Sequence, residues 1–492
     1  MHLNHKRCCL KGFAAKTLPW GGGKGKRNLG HCSILLKVKG IPSPPITAIA
    51  GATPPTRDRV IDGLRAVSLS VVVFGHCFMA LVLWRQGVPS LGNSLTLHRP
   101  MQLFTWVVQV MPLFFFAGGA SNAITWRAKR NSGYSTWLWG RAARLLRPLW
   151  VYLVVMAPVA LIVAHFGPID VTAPLLLLTT QLLWFLGAYL IVTALGPVFW
   201  TLHQRRPFFT IAALAAIAVL VDIARFGLGG PTALGLINFV VVWCFAAQLG
   251  VWYVERRPQP RSAALVAFGG LLVNALVVKF AHYPLSMVGM PGEKVSNMAP
   301  PTVPLMVHSV VVCMLAMCLV TPLKKFFARD RAWRYAVLVN TVAMTLYLWH
   351  LPMLILLVVI ERATGLGGHV TVSHGVITAG THYWYWWPLH FSVFIVMVSL
   401  VVRIFWVLEN TPLPLWDAVS RFPRLTPRLS GFAIGVGVTL CGTSLLMFSA
   451  TGLGGFPTRV IHYAGLPLSS GLALLVLIVG ATAIRLAGAP RR

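Results

Sequence analysis

The sequence predicts an all-α integral membrane protein, and three observations predict it. Of 492 residues, 57% are hydrophobic and 11% charged, with a mean hydropathy of +0.74. An ordinary soluble domain carries about 25% charged residues. Twelve apolar stretches are each near the ~20 residues a helix needs to cross a bilayer. The cations fall between those stretches in alternate connections, the pattern of cytoplasmic loops. A soluble enzyme of one or two domains is therefore excluded. The chain has 42 Lys and Arg against 10 Asp and Glu, a net charge of +32. Such an excess can mark a nucleic-acid binder, but so apolar a chain has no solvated face on which to place it.

In order, the spans are expected near 60–84, 103–126, 148–166, 172–200, 208–225, 233–253, 262–281, 303–322, 336–360, 390–408, 431–450 and 466–486. With the N-terminus inside, the inner connections and tail hold 23 cations and the outer ones 7, the other 12 lying at or before Arg65. The charge is thus mostly a topology signal. It predicts a multi-pass protein of the cell membrane with both termini cytoplasmic, and an even number of spans agrees.

Residues 1–56 read differently from the rest. The first 50 contain nine Lys or Arg, no acid and a GGGKGK run, and the segment leaves through IPSPP and ATPPTR. No secretory apolar region is present. Two readings stand: a disordered cytoplasmic tail touching anionic head groups, or a start opened upstream of a protein that begins near Thr53. Of the eight cysteines, three lie in this tail and five in expected spans, so no disulfide framework is expected. There is no CxxC, HExxH, P-loop or GxSxG signature for metal, nucleotide or serine hydrolysis.

Ionisable residues within spans are costly in hydrocarbon and tend to be functional. The first span is the richest in them. Arg65 and His76 are 11 residues apart, which is three helical turns plus roughly 20°, so they share a face about 16 Å apart along the axis. Asp62, one turn before Arg65, is its expected partner. The alternative is an Arg65 that snorkels to the head groups and a His76 bonded to a neighbouring helix.

The stretch GLRAVSLSVVVFGH resembles the first-span signature of acyltransferase family 3, the multi-span membrane O-acyltransferases. Further pieces follow in the order that family leads one to expect: VMPLFFFAGGA in the second span, the run GRAARLLRPLW before the third, LLWFLGAYL in the fourth and TLYLWHLPML in the ninth. The loop SNMAPPTVPL is similar to one in actinobacterial-type members. The resemblance covers roughly residues 57–410, a ten-span core, and leaves 411–492 as a cytoplasmic loop plus two extra spans. One departure stands out. Many relatives carry an acid shortly after the Trp-Phe-Leu of the fourth span, where this chain has Gly187, Ala188 and Tyr189.

The resemblance implies transfer of an acyl group, acetyl or another short chain, from cytoplasmic acyl-CoA to a hydroxyl of a carbohydrate, glycolipid or cell-envelope precursor. It implies no permanently bound cofactor. The tasks are to deprotonate a hydroxyl of high pKa and to stabilise an oxyanion, and a neutral imidazole suits the first. His76 is expected to be the general base, or to take the acyl group itself in a two-step variant. Arg65 would orient the donor from the cytoplasmic side. Arg141, Arg144 and Arg147 can form a ridge for the CoA phosphates, and Arg144 and Arg147 are favoured because they sit closest to the third span. Positive-inside topology alone would also place arginines there.

His350 falls at a depth similar to His76, so the two imidazoles can line one cavity, or His350 is a structural histidine bonded across helices. Asn297 and Pro300 lie in an outer loop that can contact the acceptor or plug the outer mouth. The stretch 361–390 holds His369, His374, His382 and His390 among aromatics. Their irregular spacing, with no Cys, Asp or Glu among the candidate ligands, favours an interfacial aromatic belt over a metal site. Asp222 and Lys279 are expected at the interface without a special role. A rival class is a twelve-span secondary transporter or a flippase-like protein without acyl transfer. Against it, no repeat relates the two halves, and the midplane polar groups gather in the first and ninth spans.

Overall fold

The computed structural model describes residues 46–85, 88–96, 100–290, 293, 295–365, 370–373, 376–379, 382–418 and 425–488. Most of the expected tail, His369 and His374 lie outside the described residues. The helices are α1 (Ile46–Gly51), α2 (Arg59–Met79), α3 (Met101–Val108), α4 (Met111–Lys129), α5 (Tyr134–Phe166), α6 (Ile169–Gln181), α7 (Leu183–Arg205), α8 (Pro207–Asp222), α9 (Gly235–Glu255), α10 (Pro260–Phe280), α11 (Val303–Cys318), α12 (Val320–Ala328), α13 (Asp330–Thr341), α14 (Ala343–Thr364), α15 (His382–Asn410), α16 (Pro427–Thr451) and α17 (Ser470–Gly488). Three two-stranded antiparallel hairpins complete the described elements. They are β1 (Ala80–Arg85) with β2 (Val88–Asn93), β3 (Val370–Ser373) with β4 (Val376–Ala379), and β5 (Val460–Tyr463) with β6 (Leu466–Ser469). They follow the first, ninth and eleventh spans, and β1 and β6 take the last residues of the first expected span (80–84) and the first residues of the twelfth (466–469).

Among the described residues, eleven helical segments are long and apolar enough to cross a membrane, and a twelfth is broken. The protein is an all-α integral membrane protein. Its broken segment is the eighth expected span, where α11 and α12 meet at 61°. Leu319 caps one and opens the other, and Lys324 and Lys325 on α12 would be costly to carry onward into hydrocarbon. Instead α12 and α13 turn back along the start of α2. Phe327 covers Gly63, Arg59 donates to the Phe327 carbonyl at 3.4 Å, and Asn340 Nδ2 donates to the Asp62 carbonyl at 2.9 Å.

Sequence punctuation sets the helix ends. Asp58 accepts from the amides of Val60 and Ile61 at 3.0 and 3.4 Å, a side-chain N-cap for α2. Gln109 separates α3 from α4, and its Oε1 accepts from Met111 N at 3.2 Å, replacing a bond that the break removes. Pro260 and Pro427 open α10 and α16, where their missing N–H costs nothing.

Two apolar cores result. One joins α4, α9 and α11 around Phe115, Phe116, Trp243 and Met314. Its closest seam pairs Gly119 with the Ala247 carbonyl and Gly250 with the Phe116 carbonyl, where a Cβ would overlap the opposite backbone. The other joins α5, α7, α14, α16 and α17 around Leu146, Tyr152, Leu190, Leu354 and Leu445.

The segment 281–302 is held from several sides. Asp222 is 3% exposed and accepts from Asn238 Nδ2 at 2.9 Å, Tyr283 OH at 3.0 Å and Val303 N at 2.8 Å, with Arg225 3.7 Å away. The expectation of an idle interfacial Asp222 is thereby corrected. A carboxylate with four acceptor sites is what three separate elements need at one point. Lys279 lies over the Phe280 ring.

Candidate active site

The site is built on α2 and α14. His76 Nδ1 lies 3.1 Å from His350 Nε2. The two rings are within 18° of parallel with centroids 5.3 Å apart, the spacing of imidazoles joined edge to edge. His350 is wholly buried, and its Nδ1 is 3.0 Å from the Leu346 carbonyl one turn earlier on α14. The histidines expected at matching depth are therefore bonded to each other.

Helix α14 is fixed at both ends of its first turns. Glu409 on α15 accepts from Met344 N and Thr345 N at 3.2 and 2.9 Å, placing an anion on the positive end of the helix dipole. Tyr347 OH donates to the Leu182 carbonyl, and Trp349 stacks on Phe405 with centroids 4.2 Å apart. His350 thus projects from a frame whose rotation is set by three neighbours.

Three turns before His76, Arg65 makes no hydrogen bond or ion pair with the described residues. Asp62, its expected partner, turns the other way. It accepts from Arg57 Nε at 2.5 Å and Arg57 Nη2 at 3.2 Å. Arg57 sits outside the span, where the approach of a second long side chain is cheaper, and the Asp62 hydrogen bond raises its pKa. Arg65 instead belongs to a group of cations, since Arg141 lies within electrostatic range of Arg65, Arg144 and Tyr189. Arg141 donates to the Ser121 carbonyl at 3.0 Å and to Thr125 Oγ1, and stacks on Trp137. It is therefore positioned, whereas Arg144 is exposed and has no such bond.

Arg147 does not share that arrangement. Asp417 takes its Nη2 and Nε at 2.6 and 2.9 Å, and the Glu409 carbonyl takes Nη1 at 3.4 Å. The ridge expected of Arg141, Arg144 and Arg147 is split: Arg141 is bonded to α4, Arg144 is exposed, and Arg147 ties α5 to the segment after α15. Asn297 is also committed elsewhere. It is wholly buried, donates to the Pro284 and Ser286 carbonyls at 2.7 and 2.9 Å, and accepts from Thr302 Oγ1 at 2.7 Å. Those bonds occupy both amide N–H groups, so Asn297 fixes the loop between α10 and α11 from within.

His390 lies in α15 and not in a loop, and its Nδ1 is 2.8 Å from Glu361 Oε1. Both side chains are buried, and Trp386 packs against the His390 ring. A cavity of about 490 Å³ runs along α2, lined by Val67, Ser70, Phe74, Gly75, Phe78 and Tyr335 among others. At 100° per residue Val67, Ser70, Phe74 and Phe78 point away from Arg65 and His76, and Ser70 Oγ and Tyr335 OH are joined by a 2.5 Å bond.

Residues 58–407 match the model of an acyltransferase domain, the acyltransferase 3 domain. The chain belongs to acyltransferase family 3. Neither the curated proteins nor the solved structures yield a match. Membership makes the protein a membrane acyltransferase and decides against a transporter as the class of this fold. It also marks what lies beyond the family's extent, since α16 and α17 fall outside the matched residues. Helix α16 packs onto α7 at Gly187, where a Cβ would come 2.5 Å from the Gly442 carbonyl, and α17 packs on α16 and α5. The position at which many acyltransferase 3 relatives are expected to turn acidic is here the seat of the extra hairpin. Tyr189, two residues on, packs on Phe115 and Phe185 and lies within range of Arg141. Tyr189 stood out in the sequence only as one of the three residues found where an acid was expected, and the anchors Glu409 and Asp417 did not stand out, although acids are so scarce that each one was a signal.

Proposed function

We propose that this acyltransferase moves an acetyl or other short acyl group from cytoplasmic acyl-CoA to a hydroxyl of a carbohydrate, glycolipid or cell-envelope precursor in the cell membrane. The observation that carries the reading is the pairing of His76 with His350 three turns along α2 from Arg65, which lies, with Arg144, in electrostatic range of Arg141 on α5. Cations at one end and a base at the other, about 16 Å apart along the axis, suit a donor with a phosphorylated head and a thioester at the end of a long arm.

In this reading Arg65, Arg141 and Arg144 bind and orient the CoA phosphates. His76 removes the acceptor hydroxyl proton, and the oxygen forms a bond to the thioester carbonyl carbon. Collapse of the tetrahedral intermediate breaks the C–S bond, and His76 returns the proton to sulfur to give free CoA. Holding both substrates in one geometry supplies much of the acceleration. Arg65 contacts the donor and not the reacting carbonyl, because three turns of helix separate it from His76.

The test is mass spectrometry of envelope glycolipid and polysaccharide from cells with the wild-type protein, His76→Ala, Arg65→Ala or no protein, at equal membrane levels. Loss of one hydroxyl-linked acyl mass in both variants and the deletion is the expected result, and the mass identifies chain and acceptor class together. A species lost in the deletion but kept in His76→Ala would remove His76 from the chemistry.

A further inference from the structure

We infer that His350 is a positioning residue that fixes the tautomer of His76, leaving Nε2 of His76 as the atom that takes the proton. The inference rests on the reading of His76 as the base and specifies how that base is prepared. It follows from counting protons along one line of contacts. The Leu346 carbonyl can only accept, so the nitrogen 3.0 Å from it, His350 Nδ1, carries the proton of that ring. With one proton on each imidazole, His350 Nε2 is then a bare lone pair. Its neighbour at 3.1 Å, His76 Nδ1, is consequently the donor. The single proton of His76 is used on that side, and its Nε2 presents a lone pair.

A backbone carbonyl thus dictates, through one imidazole, which nitrogen of the other is basic. The logic is that of a catalytic triad, where the third group holds the histidine in the correct tautomer. Here the orienting group is a neutral ring, so no second charge is buried beside the reaction. When His76 takes the hydroxyl proton, the Nδ1–H···Nε2 bond to His350 becomes charge-assisted and strengthens. The proton stays on His76 and leaves with the thiolate, and His350 exchanges none. The arrangement is only as sharp as the orientation of His350, which explains why α14 is capped by Glu409, held by Tyr347 and packed through Trp349.

The test uses the full-length protein with uniformly ¹⁵N-histidine-labelled rings in lipid nanodiscs. The His76 signals are those absent from His76→Ala. The expected spectrum has a protonated Nδ1 and an unprotonated Nε2. His350→Leu, which offers no acceptor, should shift His76 toward a mixture of tautomers. In parallel, transfer from acetyl-CoA to an envelope extract should lose roughly 100- to 10,000-fold in kcat, the range of a general acid–base contribution, with KM for acetyl-CoA within about threefold. His350→Gln, whose Oε1 can accept from Nδ1–H, should recover at least tenfold of that loss. A wild-type His76 protonated on Nε2 overturns the inference even if His350→Leu fails to fold. So does a His350→Leu enzyme with full kcat while His76→Ala is inactive. Full activity in His76→Ala would instead sink the general-base reading itself.

Discussion

Asp417 grips Arg147 through two parallel hydrogen bonds of 2.6 and 2.9 Å, joining α5 of the family core to the segment that leads into the extra hairpin. The side chains are only 17% and 14% exposed, so the pair is largely out of water. Arg485 of α17 donates to the Leu415, Trp416 and Ala418 carbonyls on the other side of the same segment. Breaking a buried pair by removing one partner leaves an uncompensated charge. Arg147→Ala should therefore lose roughly 2–4 kcal/mol of stability, somewhat less than for a wholly buried pair. Asp417→Asn should lose less, and the double variant should fall short of the sum. Thermal unfolding in one detergent checks this, and additive effects would show that the two side chains do not act together.

The hairpin of α16 and α17 should be sensitive to single carbons at its seat on α7. Gly187→Ala places a Cβ 2.5 Å from the Gly442 carbonyl and near Leu445 and Leu446. Neither backbone can move without displacing a helix, so a cost of about 1–3 kcal/mol is expected. Gly187→Asp adds a carboxylate to an apolar seam and should be worse. Protease cleavage between 411 and 427 reports on undocking. A Gly187→Asp protein as resistant and as stable as wild type would mean that the seam is looser than its geometry.

Much of this was legible in the sequence because hydrocarbon imposes strict rules on it. Each of the twelve apolar stretches is mainly helical, the eighth broken between α11 and α12, since a helix is the way a lone segment satisfies its backbone in lipid. The pairing of His76 with His350 was half legible: equal depth follows from counting residues, but which helices are neighbours does not. What arginine counting obscured was the role of the few acids. Asp62 chose Arg57, Asp417 took Arg147 and Glu409 capped α14. Each choice depends on contacts distant in the chain or on the lower cost of pairing at a span's edge. The break between α11 and α12 escaped for a related reason, because mean hydropathy does not register where α12 must turn for Phe327 to cover Gly63.

Asp222 should act as the pin of the loop between α10 and α11. Asp222→Asn replaces one acceptor oxygen with a donor that faces either Asn238 Nδ2 or both Tyr283 OH and Val303 N, and it leaves Arg225 without its anion. An unpaired buried donor costs about 1–3 kcal/mol. Because Asn297 and Gln109 still hold the same segment, the loss should appear locally. Hydrogen exchange within 281–302 should accelerate by at least tenfold while α4 and α9 stay protected. Unchanged exchange in that segment would transfer the anchoring role to Asn297 alone.

The cations near Arg65 should separate by function according to how each is held. Arg144 is exposed and unbonded among the described residues, so Arg144→Ala removes a charge without opening a cavity. If it meets the donor phosphates, KM for acetyl-CoA should rise roughly 3- to 10-fold with kcat unchanged, the signature of binding lost equally in ground and transition states. The penalty should shrink as salt is raised, because exposed charges are screened over ~10 Å at 0.1 M ionic strength. Arg147→Ala, measured on whatever fraction folds, should leave KM unaltered, since its guanidinium is taken by Asp417. Arg65→Ala is the decisive comparison, as its charge is half-buried and poorly screened: its effect should persist at a salt concentration that erases the effect of Arg144→Ala. Equal salt dependence for the two would place both at the rim and leave no inner cation to guide the thioester toward His76.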